Sequence, residues 1–276
     1  MKKYLIVNAD DMGRTKDINN GILLAYKKGI VSSTTLVANS NAYNHAVNIL
    51  KKEPNLNVGI HLTLHEYEPI KKTIFLNKLK KLRGLKLYIR LLFLSKKELL
   101  DIEDNFKLQI EKILNSGIVP SHIDGHNHLY LHPKLAKILK KILKKYKFKC
   151  LRLPNEKKSP SLTFRSLLKK YLLKIISLLT LLNLRNDKIV YPEYFHGLSN
   201  GGDLNYKILN KILSDCVCEG TNELMCHVGK KQEDPPYNIG YNFQKELKAI
   251  IQYNKEDLKK NFNITVISYK DLINLK

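Results

Sequence analysis

The sequence predicts a parallel β/α barrel. Short β-rich runs alternate with longer stretches of helical periodicity, the pattern of repeated βα units around a parallel sheet. About eight such runs occur along 276 residues, enough for a closed or nearly closed ring. Titratable residues also gather at the C-terminal ends of several runs, where barrel active sites form. A doubly wound open sheet is the alternative for the same alternation.

In chain order, the expected strands are Tyr4–Ala9, Val31–Ala38, Asn57–Leu64, His122–His126, Lys149–Leu153, Ile189–Phe195, Asn222–His227 and Ile264–Ser268. Helical spacing predicts Asp17–Lys28, Tyr43–Lys52, Glu98–Ser116, Pro133–Tyr146, Tyr206–Asp215 and Phe243–Asn261 between them. Residues 65–97 and 155–187 break the rhythm. Both are long, basic and leucine-rich, and each follows a strand, so both read as helical insertions on the active-site face. With no internal repeat or low-complexity linker, the expectation is one domain over residues 1–276.

Composition narrows the function classes. A hydrophobic content of 43% is ordinary for a globular chain, so disorder is not the reading. The apolar run after Met1-Lys2-Lys3-Tyr4 is too short for a signal peptide, and no stretch has the length of a membrane span. The expected location is therefore the cytoplasm, with peripheral attachment at the inner membrane surface left open. Cys150, Cys216, Cys218 and Cys226 lack paired zinc spacing and read as reduced structural thiols. A net charge of +23 attracts polyanions, although a solvated lysine-rich surface is the plainer account of it.

The strand ends carry the chemistry. The first strand ends in Asn8-Ala9-Asp10-Asp11, the third carries Gly59-Ile60-His61-Leu62, and the fifth gives Arg152-Leu153-Pro154. The fourth offers His122, Asp124, His126 and His128, which strand alternation would point the same way, with spacing suited to a divalent metal. The seventh gives Met225-Cys226-His227-Val228. Each group alone has a structural explanation, such as a turn, a cap or a core histidine. Their convergence on one barrel mouth is what points to a site.

These motifs, in order, resemble the YdjC/ChbG carbohydrate deacetylases: Asn8-Ala9-Asp10-Asp11-Met12-Gly13, Gly59-Ile60-His61-Leu62, His122-Ile123-Asp124-Gly125-His126 and Met225-Cys226-His227. Ser33-Thr34-Thr35 and the closing Ile264–Tyr269 strand are also similar to that family. The resemblance implies a distorted, TIM-like barrel and one divalent ion held by Asp11, His61 and His126. It implies Asp10 as general base, His227 as general acid, and an N-acetylated sugar as substrate. Asp124 is expected to orient His126 or His227, with Arg152 anchoring that network and His128 near the substrate. Zinc suits the ligand types, and the family analogy also admits magnesium; it admits a homodimer as well. The chain departs from the family at Asn127, where a histidine is common, and at Val228, where a proline often follows the late histidine.

The chemistry of amide hydrolysis agrees with this assignment. One carboxylate and two neutral imidazoles leave coordination positions open on an ion. Asp10 then takes a proton from the attacking water, and His227 returns one to the leaving nitrogen. Two other readings fit parts of the sequence. A metal-dependent phosphoesterase on nucleic acid would use the positive charge, but one metal set and no RNA-binding aromatic motif argue against it, and no specific nucleic-acid partner is expected. A non-catalytic sugar-binding barrel would need neither Asp10 nor His227.

The insertions add one expectation. Phe164, Leu167, Leu168, Tyr171, Leu172, Ile175, Ile176 and Leu179 recur at helical spacing, with Arg165, Lys169, Lys170 and Lys174 off that stripe. Leu82–Leu94 resembles it, amid Lys78, Lys80, Lys81, Arg83, Lys86 and Arg90. Basic amphipathic helices read as binding an anionic membrane surface, unless both stripes simply pack on the barrel.

Overall fold

The computed structural model describes residues 2–160, 164–184, 187–231 and 240–275, with 164–170 described by backbone alone. Eight parallel strands form among them: β1 Lys3–Met12, β2 Ser33–Leu36, β3 Asn57–Leu62, β4 His122–Gly125, β5 Cys150–Leu151, β6 Tyr194–His196, β7 Gly220–Cys226 and β8 Ile264–Ile267. Their order is β5-β4-β3-β2-β1-β7-β6, with β8 pairing β1. The helices are α1 Lys16–Lys28, α2 Tyr43–Lys52, α3 Ile74–Leu79, α4 Gly84–Leu92, α5 Lys96–Asn115, α6 Ala136–Lys145, α7 Phe164–Leu184, α8 Tyr206–Lys211, α9 Phe243–Ile250, α10 Lys255–Phe262 and α11 Tyr269–Leu275.

The ring is distorted at two places. One edge of β1 pairs with β7 from Lys3 to Ala9, so β8 and β2 share the other. β8 takes its first half, Lys3 to Ile6, and β2 its second, from Asn8 onward. The Tyr269 N–H, just past β8, donates to Ser33 Oγ at 3.3 Å and links the two. At the far side, β5 and the run before β6 meet through one bridge, Cys150 to Val190. Pro192 follows at once, and its missing N–H and fixed φ stop a longer ladder. That is why the expected strand Ile189–Phe195 shrinks to Tyr194–His196.

Buried strands make the core. The last eight residues of β1 are buried, as parallel strands covered on both faces require. α1 starts at Thr15, whose side chain accepts the Ile18 N–H, and turns Ile18, Ile22 and Ala25 inward. A Cβ on its Gly21 would lie 2.6 Å from Gly229 Cα, so only glycine permits this helix to approach the segment after β7.

Several boundaries differ from expectation for local reasons. The expected helix Phe243–Asn261 is two helices, because Asn254 and Asp257 form a capping box that starts α10 afresh. The helix from Pro133 opens with a short 3₁₀ turn, Pro133–Leu135. The run Tyr206–Asp215 leaves α geometry at Ile212 and finishes in a wider turn. In the interrupting segments, residues 65–97 hold α3, α4 and the start of α5, and residues 155–187 hold α7. Among the described residues no helix is long and apolar enough to cross a membrane.

Candidate active site

Asp10 and Asp11 are neighbours, and in a regular strand their side chains would point to opposite faces. The register of β1 against β2 shifts between Ala9 and Met12, and Asp11 has a left-handed φ of 66°. Aspartate tolerates that conformation better than most residues. The bulge re-aims the pair, so that both carboxylates serve the same mouth.

Asp11, His61 and His126 meet there, each buried, with ligand atoms within 4.8 Å of one another. Asp11 Oδ1 stands 3.5 Å from both His61 Nε2 and His126 Nδ1. Each imidazole is fixed through its other nitrogen: His61 Nδ1 lies 2.8 Å from Asp124, and His126 Nε2 lies 3.1 Å from Glu66. This carboxylate–imidazole arrangement is how metal-binding histidines are oriented, so the donor set fits a divalent ion. β3 and β4 pair His61 directly with Asp124, which is why these two meet. Asp124 therefore holds His61; the expectation that it would orient His126 or His227 is corrected by strand register.

Behind this cluster lies a buried ion network. Arg152 forks onto Asp10 with two bonds of 2.7 Å, reaches Asp124 at 2.6 Å, and meets Glu223 at 2.7–2.8 Å. Asn8 adds a bond to Asp10 at 2.8 Å, and Tyr269 donates to Glu223. His227 Nε2 stands 4.0 Å from Asp10 Oδ2, and the His227 backbone N–H donates to Glu246 at 2.6 Å.

Electrostatics sort the roles. Burial opposes charge on Asp10, but Arg152, His61 and His227 outweigh it and hold the carboxyl well below its ordinary value. Burial likewise opposes charge on Asp11, and His126, Arg14 and His61 reverse it. For His126 burial acts downward, while Asp11 and Glu66 lift it to about 9. His61 is raised against burial by Asp124, Asp11 and Asp10. His227 is pushed down to about 4, chiefly by burial, so its imidazole is neutral at pH 7. Burial lifts Glu246 to about 8 and Glu223 to about 7.

The fourth-strand cluster divides. His122 and Asp124 do share a strand face, but β4 ends at Gly125, and Asn127 and His128 take left-handed φ of 51° and 58°. Alternation cannot continue through such residues, so the expectation that all four point alike fails. His122 stacks on Tyr269 at 3.6 Å and bonds to Ser121. A Cβ on Gly59 would lie 2.4–2.6 Å from the His122 ring, so the glycine before His61 is there to admit that imidazole. His128 lies edge-on against Phe195 at 6.0 Å.

Sequence reasoning missed Arg14, Glu66, Tyr67, Glu223 and Glu246. Tyr67 donates to Asp11 at 3.1 Å, Arg14 approaches Asp11 at 3.6 Å, and Glu66 bonds to His126 while also pairing with Arg83. Glu66 sits at a left-handed φ of 66°, directly after the third-strand run. The polar run His65-Glu66-Tyr67 just after the third strand was the signal available, and the start of the insertion masked it.

A model of the YdjC-like protein family matches residues 4–258. The chain belongs to the YdjC-like family. A relative from Clostridium beijerinckii named carbohydrate deacetylase is 31% identical over 275 residues, covering 97% of this chain and 99% of that one. Another of the same name, from Thermoanaerobacter pseudethanolicus, is 28% identical over 275 residues, covering 98% and 99%. A solved Enterococcus faecalis structure, named for cellobiose-phosphate cleavage, superimposes with a TM-score of 0.67 at 23% identity over 99% of both chains. At that identity it shows the fold alone.

Proposed function

We propose that this protein is a metal-dependent hydrolase that removes the N-acetyl group from an N-acetylated amino sugar and releases acetate. One observation carries the reading: the Asp11, His61 and His126 ligand atoms converge beside an Arg152-clamped Asp10 and a His227 only 4.0 Å from it. A binding protein would need the first group alone. The family membership and the names of full-length relatives support the same chemistry. The domain is taken as residues 1–276, with 65–97 and 155–187 as insertions.

Asp11, His61 and His126 would hold one divalent ion, zinc or magnesium. Such an ion supplies Lewis acidity and an acidified water to amide hydrolysis. The residues of the chain do the rest. Arg152 fixes both Asp10 oxygens, so the carboxylate is held ionised and rigid until it accepts the proton of the attacking water. His227 starts neutral and must collect a proton before it acts as an acid. Asp10 Oδ2, 4.0 Å from Nε2, lies where that proton would come from, and Nε2 would then protonate the leaving amine. Glu246 accepts the His227 backbone N–H and faces Nδ1 at 3.9 Å, so it fixes the backbone that carries the ring.

The test is acetate release from N-acetylglucosamine-containing compounds, read together with the loss of one acetyl mass. Asp10→Asn should keep the metal and lose about 10²–10⁴-fold in turnover, and His227→Ala should behave alike. Wild-type turnover in either variant with metal bound would mean that the role is misassigned.

A further inference from the structure

The two insertions turn apolar residues outward. On α7, Tyr171, Leu172, Ile175, Leu178, Leu179 and Leu182 are exposed, while Leu173, Ile176 and Leu184 pack inward with Ser177 and Thr180. On α4, Leu85, Ile89 and Leu92 are exposed, and the adjoining Phe93 is 75% exposed. Beside α4, the cleft between α3 and α5, about 600 Å³, sets Phe75, Leu79 and Leu82 beside charged Arg90, Glu98 and Asp101. A surface helix ordinarily shows water its polar side. Nothing among the described residues covers these stripes, and contiguous apolar surface of this kind marks an interaction site.

Both helices border the same turn. Tyr88 of α4 donates to the Asn127 carbonyl at 3.1 Å and lies 6.0 Å from the His132 ring. Thr180 of α7 donates to the Leu131 carbonyl at 3.4 Å. That turn begins at His126, so the apolar stripes flank the barrel mouth. Their charge is one-signed. Neither Gly84–Leu92 nor Phe164–Leu184 contains an acidic residue. Lys81, Lys86 and Lys174 are exposed on or beside them, as is Lys137 on α6, which packs against α7.

We propose that the outward faces of α4 and α7 seat this protein on an anionic lipid surface, with the barrel mouth at headgroup level. Apolar side chains would enter the headgroup boundary while lysines meet lipid phosphates. A second copy of the chain would bury the same stripes but set lysines against lysines, so charge complementarity favours lipid. If the deacetylase reading also holds, the sugar presented there would be one carried on a membrane lipid.

Sedimentation of the full-length protein with phosphatidylcholine vesicles, with and without phosphatidylglycerol, tests this. Binding should require the anionic lipid. It should weaken about fivefold for each contacting lysine screened by salt. Replacing exposed pairs, Leu178→Ser with Leu182→Ser or Leu85→Ser with Phe93→Ser, should leave the thermal transition in place. Each pair should lower partitioning about tenfold or more, from the apolar transfer lost. Equal recovery from neutral and anionic vesicles, or binding indifferent to both pairs, overturns the proposal. A dimer mass in light scattering that a serine pair converts to monomer also overturns it, by assigning the face to a second copy. Binding is read without turnover. Failure to bind by a protein that deacetylates soluble sugars sinks only the docking surface, and the reverse result sinks only the deacetylase reading.

Discussion

Replacing Arg152 with methionine is the sharpest perturbation of this site. The side chain is fully buried and is shared by Asp10, Asp124 and Glu223. Methionine fills similar volume but leaves three carboxylates around a neutral centre. Removing one partner from a buried ionic group costs about 3–5 kcal/mol. At about 2–4 °C per kcal/mol for a chain near this size, Tm should fall by about 6–20 °C. The contribution of Asp10 to the pH dependence should also change sign. In the native protein the depressed Asp10 pKa contributes stability above the ordinary carboxylate value, about 4, and that contribution is lost as pH falls through the depressed value. Without Arg152, burial dominates and pushes Asp10 up, so the variant should gain stability on acidification from neutral pH. Denaturant melts at several pH values, run on both proteins, read both effects. A loss under about 1 kcal/mol, or parallel pH profiles, would refute the view that Arg152 holds Asp10 charged.

Other expectations follow from the same geometry. His126→Ala should abolish divalent-metal binding with the fold retained, and full occupancy by elemental analysis would exclude it as a ligand. Because His126 is raised to about 9, a proton competes with the ion, so metal affinity measured by calorimetry should rise with pH up to about 9. The same raised value means that the metal-free protein draws stability from His126 at low pH and loses it as pH climbs through about 9. Glu66→Gln keeps the shape but weakens the partner of His126 Nε2, so metal affinity should drop about 10–100-fold, and an unchanged affinity would remove Glu66 from the site. Gly59→Ala places a methyl against the His122 ring and should cost about 1–3 kcal/mol in a thermal melt; a neutral result would show that the ring gives way.

The sequence by itself determined the barrel, its strand order along the chain, and the motif residues that mark a YdjC-like protein, because burial periodicity and strand-end chemistry are local signals. Tertiary structure decided the partnerships. Asp124 serves His61 since β3 and β4 register those two side by side, and no spacing along the chain encodes that pairing. Asp10 and Asp11 act together only because a bulge overrides the alternation that would separate them. Glu223 and Glu246 read as ordinary charged residues, yet one braces Arg152 and the other His227 from elements far apart in sequence. The apolar stripe of 164–182 was legible as a helix. Whether it faced the core or water depended on what the barrel had left to cover, and residues 171–182 of α7 turn much of it outward. Local periodicity says that a face is apolar; only packing decides what that face meets.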